Sequence, residues 1–233
     1  HYVYLVSTGS SKSVTAVIPT CTFISSAKKK RSVFITDPKG EIYNATSKMF
    51  QDRGYKILTI DFRHPELSNK INILDPIITE YKEYMEYERL AAESKEEKEK
   101  LEYNNLSMSA LAETNRLISS LATMVMQEKH EQKDPFWNES AKNLLEGLIG
   151  FFLEELKLGN IKEEQITMTS IRKFQNSTME TANSKKFKDY INKRAYGSKS
   201  KDALVSILSA SDNTYKSITA VFGQKMNIFD DIN

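Results

Sequence analysis

Short apolar runs alternate with helix-spaced apolar positions over the first part of the chain. Tyr2–Val6, Ser32–Thr36 and Lys56–Ile60 are rich in residues that suit a pleated surface, and each predicts a strand. Between the first two, Val14, Val17, Ile18 and Cys21 recur at helical spacing from Lys12 to about Ser25, and Pro19 is expected to kink or shorten that helix. Ile42, Ala45, Met49 and Phe50 predict a helix over Glu41–Arg53, with Gly54 just past its end. Strands separated by helices imply a parallel sheet with right-handed crossovers, an α/β arrangement.

Asn72-Ile73-Leu74-Asp75-Pro76 marks a boundary, beyond which the strand pattern stops. Residues 77–102 read as an acidic helix with Ile77, Tyr81, Tyr84 and Glu88 along one side. Its Glu- and Lys-rich end, Glu93–Glu102, predicts a solvated face or a corner between helices. Residues 107–129 form a further helix with Leu111, Leu117, Leu121 and Met124 inward. The clearest helix is 135–157: Asp134 can cap it, Pro135 suits its first turn and Gly159 its end. Ala141, Leu145, Leu148 and Phe152 line one stripe, widened by Leu144, Ile149 and Leu156, so this helix should be central to a bundle. Residues 169–195 predict one or two more helices. A new apolar pattern from Ala203 reads as the chain returning to its first domain.

Composition changes this picture little. Hydrophobic residues at 39% and charged residues at 27% of 233 suit a folded globular chain, and only 8 Gly and 5 Pro argue against a loop-rich all-β fold. The lone Cys21 excludes an intrachain disulfide framework. No apolar run approaches the roughly 20 residues that span a bilayer. His1 followed at once by a strand pattern, with no signal peptide, reads as a fragment of a longer chain entered at the first strand of a domain. The three histidines are scattered and give no metal-type spacing.

Charge is uneven even though the net is only +2. Residues 162–201 hold ten Lys and Arg against four acids, a local charge of +6, whereas residues 80–102 hold nine Glu against five Lys and Arg, or −4. A helical domain with this polarity could lay a basic face on DNA or an acidic protein, or simply carry a solvated surface.

The loop Val6-Ser7-Thr8-Gly9-Ser10-Ser11-Lys12-Ser13 lies where a phosphate-binding loop would lie, between strand and helix. Such a loop needs exposed backbone N–H groups, a lysine for the terminal phosphates and a hydroxyl for Mg²⁺, and Lys12 and Ser13 match the last two roles. The usual glycines are replaced by Val6 and Ser11. Asp37, beside Lys39 at a strand end, is a candidate for orienting Mg²⁺ or water, whereas Asp61 reads as a turn residue.

Several separated pieces together resemble the coupling proteins of type IV secretion and bacterial conjugation. They are Thr8–Ser13 followed by Val17-Ile18-Pro19-Thr20, then Asp37-Pro38-Lys39-Gly40-Glu41, Asn72-Ile73-Leu74-Asp75-Pro76, Asp134-Pro135-Phe136-Trp137 leading into Ser140–Leu145, and Val205-Ser206-Ile207-Leu208-Ser209. The resemblance implies a membrane-anchored, homo-hexameric ATPase related to RecA-type motors, at the cytoplasmic face of the membrane. Such a protein recruits relaxase or other secreted protein substrates, with DNA, and hands them to the secretion channel. It also implies a partial P-loop-type parallel sheet with a large all-α insertion: residues 1–75 in the nucleotide-binding domain, 76–202 inserted, 203–233 returning. ATP and Mg²⁺ would be the cofactors. Thr8, Gly9, Ser10, Ser11, Lys12, Ser13, Asp37 and Lys39 would lie at the nucleotide, with Ser13 on the metal. The family's second nucleotide motif, an apolar strand ending in Asp-Glu, has no counterpart here, so a fragment inactive by itself is expected. The alternative is a nucleotide-independent, helical protein-interaction module whose loop is only a turn.

Overall fold

A computed structural model describes residues 16–61, 63–64, 66, 68–127, 135–179 and 184–229, and the chain divides into two compact units, His1–Lys70 and Ile71–Asn233.

The first unit is organised by helices α1 (Ile18–Ser26) and α2 (Glu41–Asp52). Pro19 sits in the first turn of α1, where its missing N–H costs no helical bond. Cys21, Ile42 and Phe50 form a small core, with Val17, Met49, Tyr55 and Ile57 packed on it. Gly54, at φ 76°, ends α2: its N–H bonds Gln51 O at 2.8 Å and the next N–H, of Tyr55, bonds Phe50 O at 3.0 Å. This is the paired closure of a Schellman motif, and the Phe50 and Tyr55 rings meet edge to face across it at 5.0 Å. Arg53 then ties α2 to α1, donating to Thr22 O at 3.2 Å, to Ser26 Oγ at 2.8 Å and to Ser25 Oγ.

The expected parallel sheet is not the fold. No strand occurs among the described residues; Ser32–Thr36 and Lys56–Ile60 are irregular, and Tyr2–Val6 lies outside those residues. Val, Ile and Phe favour strands only where a neighbouring strand completes the ladder and the sheet faces are covered. Here Phe34 is 89% exposed, and Leu58 and Ile60 are also exposed. The polar groups near Lys56–Ile60 close a local loop instead: Thr59 N–H donates to Asn69 Oδ1 at 2.7 Å and Asn69 N–H to Thr59 O at 2.9 Å. The architecture is mainly helical.

The second unit packs α3 (Asp75–Glu93), α4 (Glu97–Met126), α5 (Phe136–Lys157), α6 (Met168–Phe174), α7 (Ser184–Asn192), α8 (Lys199–Leu208) and α9 (Asp212–Met226). The charged run at Glu93–Glu102 spans the corner from α3 into α4. Helix α5 is central, packed by α4, α8 and α9 and buried around most of its girth, as its apolar pattern predicts. Gly147 and Gly150 let α8 approach closely: a Cβ at Gly147 would lie 2.6 Å from Leu204 Cγ, and one at Gly150 2.9 Å from Lys199 Cγ. Helix α5 ends at Gly159 with the same paired closure as α2, Gly159 N–H to Leu156 O at 2.9 Å and Asn160 N–H to Glu155 O at 3.0 Å. Helix α4 buries Ala110, Thr114, Ile118, Ala122 and Met126 at four-residue spacing. That register turns Met124 outward, 65% exposed, contrary to its expected inward position. Phe151, Phe152, Phe174 and Phe187 join α5, α6 and α7 in one aromatic cluster.

Candidate functional site

Thr8, Gly9, Ser10, Ser11, Lys12 and Ser13 lie outside the described residues, as does Asp134. Asp37 and Lys39 lie in the turn before α2. Asp37 Oδ2 accepts the Tyr43 N–H at 2.8 Å, so the carboxylate caps the first turn of α2, and its O accepts the Gly40 N–H at 3.3 Å. Lys39 is exposed in that turn. Among the described residues no group of three or more His, Cys, Asp and Glu could hold a metal ion. Asp61 closes a turn, its Oδ1 accepting N–H groups of Arg63 at 2.8 Å and His64 at 3.1 Å. These bonds hold its carboxyl below the usual carboxylate range.

The basic stretch 162–201 separates into two populations. One is internal and serves the fold. Arg194, with its side chain only 12% exposed, pairs with Glu155 and lies 3.8 Å from Glu154, both on α5. Tyr190 OH donates to Glu155 Oε1 at 2.9 Å. Lys199 reaches Glu146 at 2.7 Å, where Ser119 Oγ also donates at 2.6 Å. Burial opposes the charge of Glu146, but the bonds from Lys199 and Ser119 outweigh it and hold its carboxyl below the ordinary value of 4.5. Lys201 Nζ donates to Arg194 O at 2.9 Å, and Arg172 donates to Gln175 Oε1 at 2.7 Å. Glu154 completes the network at the start of α8: Oε1 accepts the Ser200 N–H at 3.1 Å and Oε2 the Ser200 hydroxyl. A carboxylate on the first turn of a helix is favoured by the exposed N–H groups and the helix dipole.

The other population faces outward. Lys185, Lys186 and Lys193, on α7 and just after it, are exposed and Lys188 is half-buried; none has an ion pair among the described residues, and Asp189 is the one acid in that segment. By contrast, exposed Arg89 on acidic α3 is held between Glu86 at 2.6 Å and Glu93 at 2.7 Å. After Arg194 the chain turns over Ala195–Ser198, closed by Ser198 N–H to Ala195 O at 3.3 Å, with Gly197 at φ 81°. Tyr196 sits at the tip of that turn, 99% exposed. Sequence reasoning counted the lysines but missed Tyr196. Its signal was an aromatic directly before a glycine and after Lys193-Arg194. The acids that internalise Arg194 and Lys199 were also missed, although Glu146, Glu154 and Glu155 are the charged positions within the apolar stretch Leu144–Leu156 of α5.

A family model described as type IV secretory system conjugative DNA transfer matches residues 1–233. The chain belongs to that family. No curated protein and no solved structure matches it. Membership in the conjugative DNA transfer family connects this chain with DNA and with components of the secretion system. Among the described residues of this family member, no helix is long and apolar enough to cross a membrane.

Proposed function

We propose that this chain is part of a conjugative coupling ATPase and that its helical unit recruits the DNA cargo through the basic surface of α7. The observation that carries the reading is the set of lysines at 185, 186, 188 and 193, which have no acidic partner among the described residues while the neighbouring Arg194 and Lys199 are paired inside the bundle. Cations kept on a surface without counter-charges suit a polyanion, because they neutralise its phosphates and release the counterions condensed there. The cargo would arrive bound to a relaxase or another secreted protein, and the working assembly would be a hexamer at the cytoplasmic face of the membrane. ATP would drive transfer: Lys12 would contact the phosphates and Ser13 the Mg²⁺, with Asp37 and Lys39 nearby.

Fluorescence anisotropy with labelled DNA across a salt series tests recruitment. Changing Lys185, Lys186 and Lys193 together to Gln is expected to weaken binding and to flatten the slope of log affinity against log salt by about 2 to 3. An unchanged affinity and slope would remove α7 from the reading. Calorimetry with Mg²⁺-ATP, beside Lys12→Ala, tests the nucleotide part; binding equal in both proteins would count against Lys12.

A further inference from the structure

We infer that the segment Phe23–Ile35 of the first unit rests on an anionic membrane surface, with Lys28, Lys29 and Arg31 on the phospholipid headgroups and Phe34 at the boundary between headgroups and acyl chains. The inference goes beyond the DNA-recruitment reading and does not depend on it.

Lys28, Lys29, Lys30 and Arg31 follow one another just after α1, and all four are exposed. None of them has an ion pair among the described residues. No Asp or Glu precedes Asp37 in the sequence, so no acid nearby on that side of the chain offsets this charge. Lys30 leans back on the fold, its Nζ 5.8 Å from the ring centre of Tyr55. The other three cations are left for a partner.

Apolar side chains flank this basic run. Val33, Phe34 and Ile35 are all exposed, Phe34 at 89%, and Phe23 near the end of α1 is 79% exposed. Apolar side chains gathered in water gain nothing for the fold, and such a patch marks a contact. Residues 27–36 are irregular, but the helices on either side hold their ends. Arg53 bonds the last turn of α1 through Thr22 O and Ser26 Oγ, and Asp37 Oδ2 accepts the Tyr43 N–H of α2 at 2.8 Å. The segment is therefore presented as a loop tethered at both ends.

The mixture of side chains selects the partner. A nucleic acid takes cations and can stack on an aromatic ring, but Val33 and Ile35 offer no π-face to a base. An anionic leaflet takes both kinds of group: its surface potential attracts Lys and Arg, and its headgroup boundary accepts apolar side chains. The two contributions add, which gives attachment that is firm yet reversible.

The test is co-sedimentation of the full chain with phosphatidylcholine vesicles containing phosphatidylglycerol, beside vesicles of phosphatidylcholine alone. Binding is expected to the anionic vesicles only, and to weaken as salt rises. Changing Lys28, Lys29 and Arg31 together to Gln is expected to weaken it by about 100-fold, at about fivefold per cation. Phe34→Ser is expected to weaken it by about 10-fold with the salt dependence unchanged. Absence of binding to the anionic vesicles would overturn the inference. So would equal binding by the triple variant, which would assign the attachment to the lysines of α7. Equal binding by Phe34→Ser would overturn it too, because a purely electrostatic contact leaves the apolar side chains in water. If the triple variant loses duplex DNA and keeps the vesicles, the segment is a nucleic-acid surface instead. Unaltered helical circular dichroism in each variant confirms that binding, not folding, has changed.

Discussion

Arg194 is the residue on which the interior charge balance depends. Removing one partner of a buried ion pair leaves the other charge stranded, which costs about 3–5 kcal/mol. Arg194→Ala, which removes the cation facing Glu154 and Glu155 on α5, is therefore expected to lower the melting temperature sharply; a shift within error of zero in thermal denaturation would show that water screens the pair. Glu146 makes a pH-dependent contribution. Its folded pKa lies below the ordinary 4.5, so its stabilisation is present above that value and is lost as pH falls through the folded pKa. The stability gap between the parent and Glu146→Gln, measured as melting temperature against pH, is expected to shrink below about pH 4.5. A gap that stays constant into acid would mean that Glu146 is not held by Lys199 and Ser119.

At the level of elements, the α5–α8 contact is set by small residues. A Cβ at Gly147 would lie 2.6 Å from Leu204 Cγ, so Gly147→Ala should push the helices apart and destabilise by about 1–3 kcal/mol despite the better helix propensity of Ala. Denaturant titration checks this, and a stabilised variant would show that Leu204 can move aside. Helix ends were legible from a few adjacent residues: Gly54 and Gly159 both close helices in left-handed conformations. The inward face of α4 was only partly legible, because Leu111, Leu117 and Leu121 pack against the core while Met124, of equal apolar character, does not. The difference lies in which side of α4 meets α5, a fact that periodicity alone does not contain.

For the molecule as a whole, the second unit has its own core, running from Leu74 just before α3 and Ile77 on it through Leu148 on α5 to Phe222 on α9. Residues 71–233 expressed separately are expected to be helical and to melt cooperatively by circular dichroism. A non-cooperative loss of signal would show that the unit needs residues 1–70. Among the described residues the first unit has far fewer buried apolar side chains, Cys21, Ile42 and Phe50 in its core, and it should contribute the smaller part of any unfolding transition.

By itself, the sequence determined the helical character of residues 77–195, the glycine ends at Gly54 and Gly159, the central place of α5, the charge polarity of the helical unit and the family motifs. Each depends on residues close together in the chain, where capping, periodicity and composition act. Tertiary structure alone decided which cations are exposed and which are internal, since Arg194 meets acids about 40 positions away and Lys199 meets one more than 50 away. It also decided against the sheet. Ser32–Thr36 has a strand's composition, but a strand exists only when another strand takes its hydrogen bonds, and none does so among the described residues.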